Sequence, residues 1–245
     1  ETLTEGSWQL SLKFKGILND KLHGFYRSFY KDSAGNQKVI ASTQFEPTDA
    51  RYAFPCWDEP DFKAVFHVTL VVDRDLTAIS NAQIETERVL EDTFKKEVVF
   101  KETIKMSTYL VAFIVGQFEA TELRMVDGVP LRIWAQPGKL HLAKFAEEIS
   151  CHSLSFFNNY YGLRYPGDKL ELIAIPEFAF GAMENLGAIT FRENALLVDE
   201  KNASHAELER VADVVAHEIA HMWFGDLATT KWWNGLWLNE AFATF

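Results

Sequence analysis

Cysteine is nearly missing from this sequence: Cys56 and Cys151 are the two thiols in 245 residues. Two distant cysteines do not build a disulfide framework, so free, buried thiols are expected. Proline is scarce, with seven residues, and no Pro- or Gly/Ser-rich tract reads as a flexible linker or low-complexity segment. No apolar run approaches the roughly 20 residues of a membrane-spanning helix, and the first residues do not read as a signal peptide. Positive charge is in deficit: 24 Lys and Arg face 35 Asp and Glu, a formal net charge of −11. That balance argues against nucleic acid or an anionic membrane as the main partner. An acidic field favours cationic ligands.

What is present is material for a core. Hydrophobic residues make up 48% of the chain and aromatics 14%, which excludes disorder and suffices for one large domain or two small ones. Residues 1–137 read as β. Trp8, Leu10, Leu12 and Phe14 alternate with polar partners, the period of a half-buried strand. Further strands are predicted at 25–30, 38–45, 63–72, 94–101, 107–118 and 130–135, separated by turn signals such as Asp32-Ser33-Ala34-Gly35-Asn36 and Asp127-Gly128. Many short strands without a helical period indicate an all-β sandwich or saddle-shaped sheet domain. The pattern changes after Pro137-Gly138. In 138–245, a helix is predicted over 140–161 with Gly162 ending it, then strands at 169–175, 186–191 and 195–198, then a second helix. The predicted fold is therefore multidomain, an all-β unit over 1–137 followed by an α+β unit over 138–245.

The second helix carries the chemistry. Ser204 followed by Glu207 is a capping box, and Leu208, Val211, Val215, Ile219 and Met222 recur at three- and four-residue intervals. One helix is predicted from about His205 to Phe224, with Gly225 as its stop. Within it lies His217-Glu218-Ile219-Ala220-His221, an H-E-x-x-H motif. Residues four apart in a helix lie about 40° apart, so both imidazoles project from one face and can close on one ion. Nitrogen donors suit zinc, which at catalytic sites takes a third protein ligand and keeps one position open. Glu240 fits that third role, on a further helix that Asn234 can cap. Glu218 projects beside the ion, where it can take a proton from the attacking water. The pattern with a third His is excluded, because Phe224 and Leu227 stand where its Gly and His belong. A surface His pair at helical spacing is the bland alternative.

Taken together, these segments resemble the gluzincin aminopeptidases of the aminopeptidase N and puromycin-sensitive aminopeptidase type. The likeness rests on H-E-x-x-H, on Glu240 placed 19 positions after His221, and on Gly181-Ala182-Met183-Glu184-Asn185. It extends to Gly24-Phe25-Tyr26-Arg27-Ser28, to Thr43-Gln44-Phe45-Glu46-Pro47-Thr48-Asp49-Ala50-Arg51, to Phe54-Pro55-Cys56-Trp57-Asp58-Glu59-Pro60 and to Met106-Ser107-Thr108-Tyr109-Leu110. The resemblance implies a thermolysin-like catalytic domain over 138–245, one zinc ion per chain held by His217, His221 and Glu240, and Glu218 as general base. It implies hydrolysis of the first peptide bond of substrates with a free α-amine. By the same matching, Glu184 holds the substrate α-ammonium, Gln44 and Glu46 reach in beside it, and Gly181 to Asn185 offers backbone for an extended peptide. Phe180 lines the first side-chain pocket; plain core packing is its alternative.

The family also uses a downstream tyrosine, and no residue here matches it. The chain is therefore expected to be a portion of a larger enzyme, with both ends cut and a C-terminal region of the same polypeptide as its partner, and to be inactive alone. The expected compartment is the cytoplasm. Asp213, one turn before His217, is read as an acid that orients it or as a solvated helix residue. Trp232, Trp233 and Trp237 are read as packing residues. Three other functions stay open: a non-catalytic scaffold or peptide-binding relative, an endopeptidase of thermolysin type, and the family's epoxide-hydrolysing branch.

Overall fold

The computed structural model describes residues 5–91 and 93–245; residues 1–4, at the start of the predicted β unit, and residue 92 lie outside the described residues. Thirteen strands are found among the described residues: β1 (Gly24–Lys31), β2 (Gln37–Gln44), β3 (Thr69–Asp73), β4 (Thr77–Ile79), β5 (Ile84–Leu90), β6 (Lys95–Phe100), β7 (Ile114–Gly116), β8 (Glu119–Ala120), β9 (Arg124–Val126), β10 (Val129–Ala135), β11 (Leu170–Ile175), β12 (Ala182–Met183) and β13 (Ala188–Arg192). The helices are α1 (Lys144–Tyr161), α2 (His205–His221) and α3 (Leu236–Thr244). Three sheets result, ordered β1-β2-β7-β4, β3-β6-β5 and β12-β13-β11-β10-β8, with β9 beside β10.

The third sheet positions the site. β11 pairs in parallel with both β10 and β13. All six residues of β11 are buried, as a parallel strand covered on both faces requires. This sheet takes strands from both sides of Pro137-Gly138, and one hydrophobic core runs from Tyr26 and Ile40 through Leu131 and Ile173 to Ile219 and Trp223. β12 closes the sheet as its edge strand.

Several predicted elements differ from the structure. Residues 7–18 lie in neither helix nor strand, and Leu10 and Leu12 are 73% and 54% exposed. Alternation makes a strand only where a ladder and a covering layer receive it, and the described residues supply neither. The predicted 107–118 strand is split into a 3-10 turn at Thr108–Leu110 and the short β7. Between them, side chains serve the backbone: Ala112 N donates to Asn81 Oδ1 at 2.9 Å and Phe113 N to Thr43 Oγ1 at 3.1 Å. The predicted 195–198 strand is absent. Glu193–Ala195 forms a 3-10 turn, and Leu196 and Leu197 are buried without a ladder; a short apolar run does not distinguish the two.

α2 forms as its sequence dictates. Ser204 Oγ accepts from Glu207 N, and Glu207 Oε2 accepts from Ser204 N at 2.8 Å, a complete capping box. Val211, Val215 and Ile219 are buried on one stripe. The helix ends at His221, three residues before the predicted Phe224. α1 ends at Gly162, whose φ of +64° is the left-handed cap that glycine adopts freely. α3 starts from Gly235 rather than Asn234, with no side-chain cap.

Candidate metal centre

Three donor atoms converge where α2 meets α3. His217 Nε2 lies 2.9 Å from His221 Nε2 and 3.3 Å from Glu240 Oε2, and His221 Nε2 lies 3.7 Å from that same oxygen. For nitrogen ligands about 2.0–2.1 Å from a tetrahedral ion, ligand atoms stand roughly 3.3 Å apart, and the three separations bracket that value. The other ring nitrogens face acceptors. His221 Nδ1 sits 2.9 Å from Phe224 O, and His217 Nδ1 sits 3.3 Å from Thr244 Oγ1. A proton on each Nδ1 leaves both Nε2 lone pairs and a carboxylate pointing at one place, which is stable only around a cation or protons.

Local structure holds this arrangement. Phe242 of α3 stacks on Phe224 with ring centres 4.6 Å apart and planes 12° from parallel, clamping α3 to the end of α2. Gly225 has φ of +135°, and a Cβ there would lie 3.1 Å from His221 Nδ1. Glycine is therefore required by backbone and by ring alike. Tyr109 packs edge-on against Trp233 at 5.3 Å. Trp232 and Trp237 are 49% and 67% exposed, so the packing role predicted for all three tryptophans holds for Trp233 alone.

The donors open into a cavity of about 730 Å³. Gln44, Glu46, Phe180, Gly181, Ala182, Glu184, His217, Glu218, His221 and Glu240 all line it. Met183 and Asn185 lie behind that wall, 1% and 0% exposed. Met183 Sδ accepts from Gln44 Nε2 at 3.3 Å, and Asn185 Nδ2 donates to Thr190 Oγ1 at 3.1 Å. They support the segment. Phe180 is 56% exposed on the rim. The loop before β12 is fixed from two sides: Glu177 Oε2 accepts from Phe29 N at 2.8 Å, and Arg192 Nη2 donates to Ala179 O at 2.6 Å.

The site's electrostatics are those of crowded acids. Burial pushes Glu218 well above the ordinary carboxylate range, and Glu184 adds to the effect while His221 opposes it. Burial, then Glu184 and Glu240, push Glu46 up to about 9. Hydrogen bonding to His217 and His221 holds Glu240 well below its usual range. Burial works against charging His221, but Glu184, Glu240 and Glu218 outweigh it and raise the imidazolium's pKa. Among the described residues, Gln44 Oε1, Glu46 Oε1, Glu184 Oε1 and Glu218 Oε2 are buried and accept no hydrogen bond. Unpaired buried acceptors are costly, and the four residues that carry them line one cavity.

Two site features were not read from the sequence. Thr244, not Asp213, faces His217 Nδ1; a Thr four residues after Glu240, on its helical face, was the available signal. Asp226 is fully buried with both carboxylate oxygens unpartnered, and burial followed by Glu184 raises its pKa well above the usual range. No pattern marked it.

The sequence pattern described as "Peptidase M1 N-terminal domain" matches residues 1–110, and "Peptidase family M1 domain" matches residues 145–245. Aminopeptidase M1-A of Oryza sativa subsp. japonica is 52% identical over 245 residues, 100% of this chain and 28% of that protein. Puromycin-sensitive aminopeptidase of Caenorhabditis elegans is 51% identical over 237 residues, 97% of this chain and 25% of its own length. Aminopeptidase 2, mitochondrial, of Saccharomyces cerevisiae is 48% identical over 242 residues, again 25% of its length. The chain thus spans about a quarter of the length of these curated relatives.

Proposed function

The chain belongs to the M1 peptidase family, and from that premise we propose that it carries the metal site and amine anchor of a zinc aminopeptidase. The observation that carries this reading is the shared cavity: His217, His221 and Glu240 converge in it, and Gln44, Glu46, Glu184 and Glu218, each with a buried unpartnered oxygen, line the same space. His217, His221 and Glu240 would hold one zinc ion, which when bound acidifies a coordinated water and polarises a carbonyl.

The residues divide the work. Glu184, Glu46 and Gln44 offer two carboxylates and an amide oxygen to a substrate ammonium with three N–H donors. With the amine fixed there, only the first peptide bond reaches the metal ligands. Ala182, in the edge strand β12, and Gly181 just before it let an extended substrate add alongside. Phe180 forms the wall against which the first side chain packs. Glu218, desolvated and raised in pKa, accepts the proton of the attacking water and returns it to the leaving amine.

Two further points belong to this proposal. The β unit and the catalytic unit meet across the third sheet rather than at a linker. The compartment is the cytoplasm, on the strength of the free thiols Cys56 and Cys151; no helix of the described residues is long and apolar enough to cross a membrane.

The test is Glu218→Gln in the enzyme at its natural length. Zinc content should stay at one per chain while turnover falls by about 10²–10⁴. Near-normal turnover would sink the assignment of Glu218, and zinc absent from the parent protein would sink the metal site.

A further inference from the structure

Beyond the metal ligands the cavity continues along α2, and its far end carries a charge that the chemistry above does not use. Asp213 stands four residues before His217, so it lies about 6 Å further along the helix axis on the same face. It lines the cavity together with Val214, Thr244 and Phe245. Its side chain is exposed and, among the described residues, makes no hydrogen bond or ion pair. The partner of His217 Nδ1 is Thr244, so Asp213 does not orient the metal ligand.

The amine anchor is at the opposite end. Ligand atoms of Glu184, Glu218 and His221 lie within 4.8 Å of one another, as do those of Glu46, Glu184 and Glu240. Asp213 precedes His221 by eight residues, about 12 Å along the axis. An extended substrate advances about 3.3 Å per residue. With its ammonium at Glu184 and its first carbonyl at the metal ligands, the chain beyond the cut runs toward Asp213. A long cationic side chain on the second residue can close the remaining gap, and the apolar stems of Lys and Arg have Val214 and Phe245 to lie against.

We propose that Asp213 is a specificity-determining residue that selects substrates with Lys or Arg immediately after the cleaved bond. The inference rests on the aminopeptidase reading, since it needs the amine end fixed at Glu184. It concerns a different end of the cavity and a different residue of the substrate. A solvent-screened ion pair of this kind is worth about a 1.5- to fivefold preference.

The experiment uses the enzyme at its natural length and peptides with a common first residue and Lys, Gln or Glu in second place. The quantity read is the ratio of kcat/KM values between peptides, for the parent and for Asp213→Asn and Asp213→Lys. The parent should favour Lys over Gln, and Gln over Glu. Asp213→Asn should erase most of the Lys advantage, and Asp213→Lys should turn the preference toward Glu, which loss of mere helix solvation would not do. No Lys preference in the parent, or one that survives in Asp213→Asn, overturns the proposal. An N-acetylated copy of the Lys peptide separates the two readings. If it resists cleavage while the second-residue preference is missing, Asp213 alone is misassigned. If it is cut as fast as the free peptide, the amine anchor falls and this inference falls with it.

Discussion

At the metal half of the cavity the donor atoms of His217, His221 and Glu240 lie within 3.7 Å of one another, whereas at the amine half the buried oxygens of Gln44, Glu46 and Glu184 accept nothing from the described residues. The metal half comes from one short stretch of chain, the last turn of α2 and the first turns of α3. The amine half is assembled from the end of β2 and the segment around β12, about 140 residues apart in sequence, joined by the Gln44–Met183 contact. A local set can satisfy itself and wait for its ion. A set gathered across the fold holds desolvated acceptors in place at the expense of stability, which under the proposed function a substrate ammonium offsets.

Removing a ligand breaks the metal half outright. His221→Ala should take bound zinc from one per chain to none and activity to background, read by metal analysis beside peptide hydrolysis; retained stoichiometric zinc would contradict the ligand set. Glu184→Ala breaks the amine half with the metal in place. It should cut kcat/KM for free peptides by about 10- to 150-fold, the worth of one charge-assisted hydrogen bond, and shrink the advantage of free over blocked peptides. An unchanged advantage would remove Glu184 from the anchor. Gly225→Ala strains the junction, because its φ is +135° and a Cβ would meet His221 Nδ1 at 3.1 Å. Zinc affinity should fall by about 10- to 100-fold in a chelator competition; unaltered affinity would show that the loop yields.

A gentler comparison is pH. In the metal-free chain, folded Glu46 keeps its proton up to about 9, against 4.5 for the ordinary group. Between those values the folded state binds more protons than the unfolded one, so stability falls as pH rises through that window. Glu46→Gln should flatten the slope in denaturation midpoints measured across it, and an equal slope in both would place the penalty elsewhere. The smallest effect lies outside both halves. Ser204→Ala removes the capping oxygen of α2 and should cost about 1 kcal/mol, with zinc stoichiometry unchanged.

The metal half was legible because helical spacing converts sequence distance directly into geometry. Ser204, Glu207, His217, Glu218 and His221 could be placed without any tertiary information. Glu240 needed only one further helix, although that helix is capped by Gly235 and not by Asn234. The amine half was not legible from the residues. Gln44 and Glu184 sit in strands and turns whose approach depends on sheet order, and a family resemblance supplied them. Periodicity misled at residues 7–18, where alternation is present and a ladder is not, and at 195–198, where apolar residues are buried without pairing. Asp226 and Thr244 escaped notice because each matters through what the fold brings beside it.

The most direct test of the two-part cavity is cleavage of one peptide, free and N-acetylated, by the zinc-loaded enzyme at its natural length, followed by mass spectrometry. The account predicts stepwise loss of single residues from the free peptide and none from the acetylated one. Internal cuts in both forms would contradict it, leaving a metal site without an amine anchor.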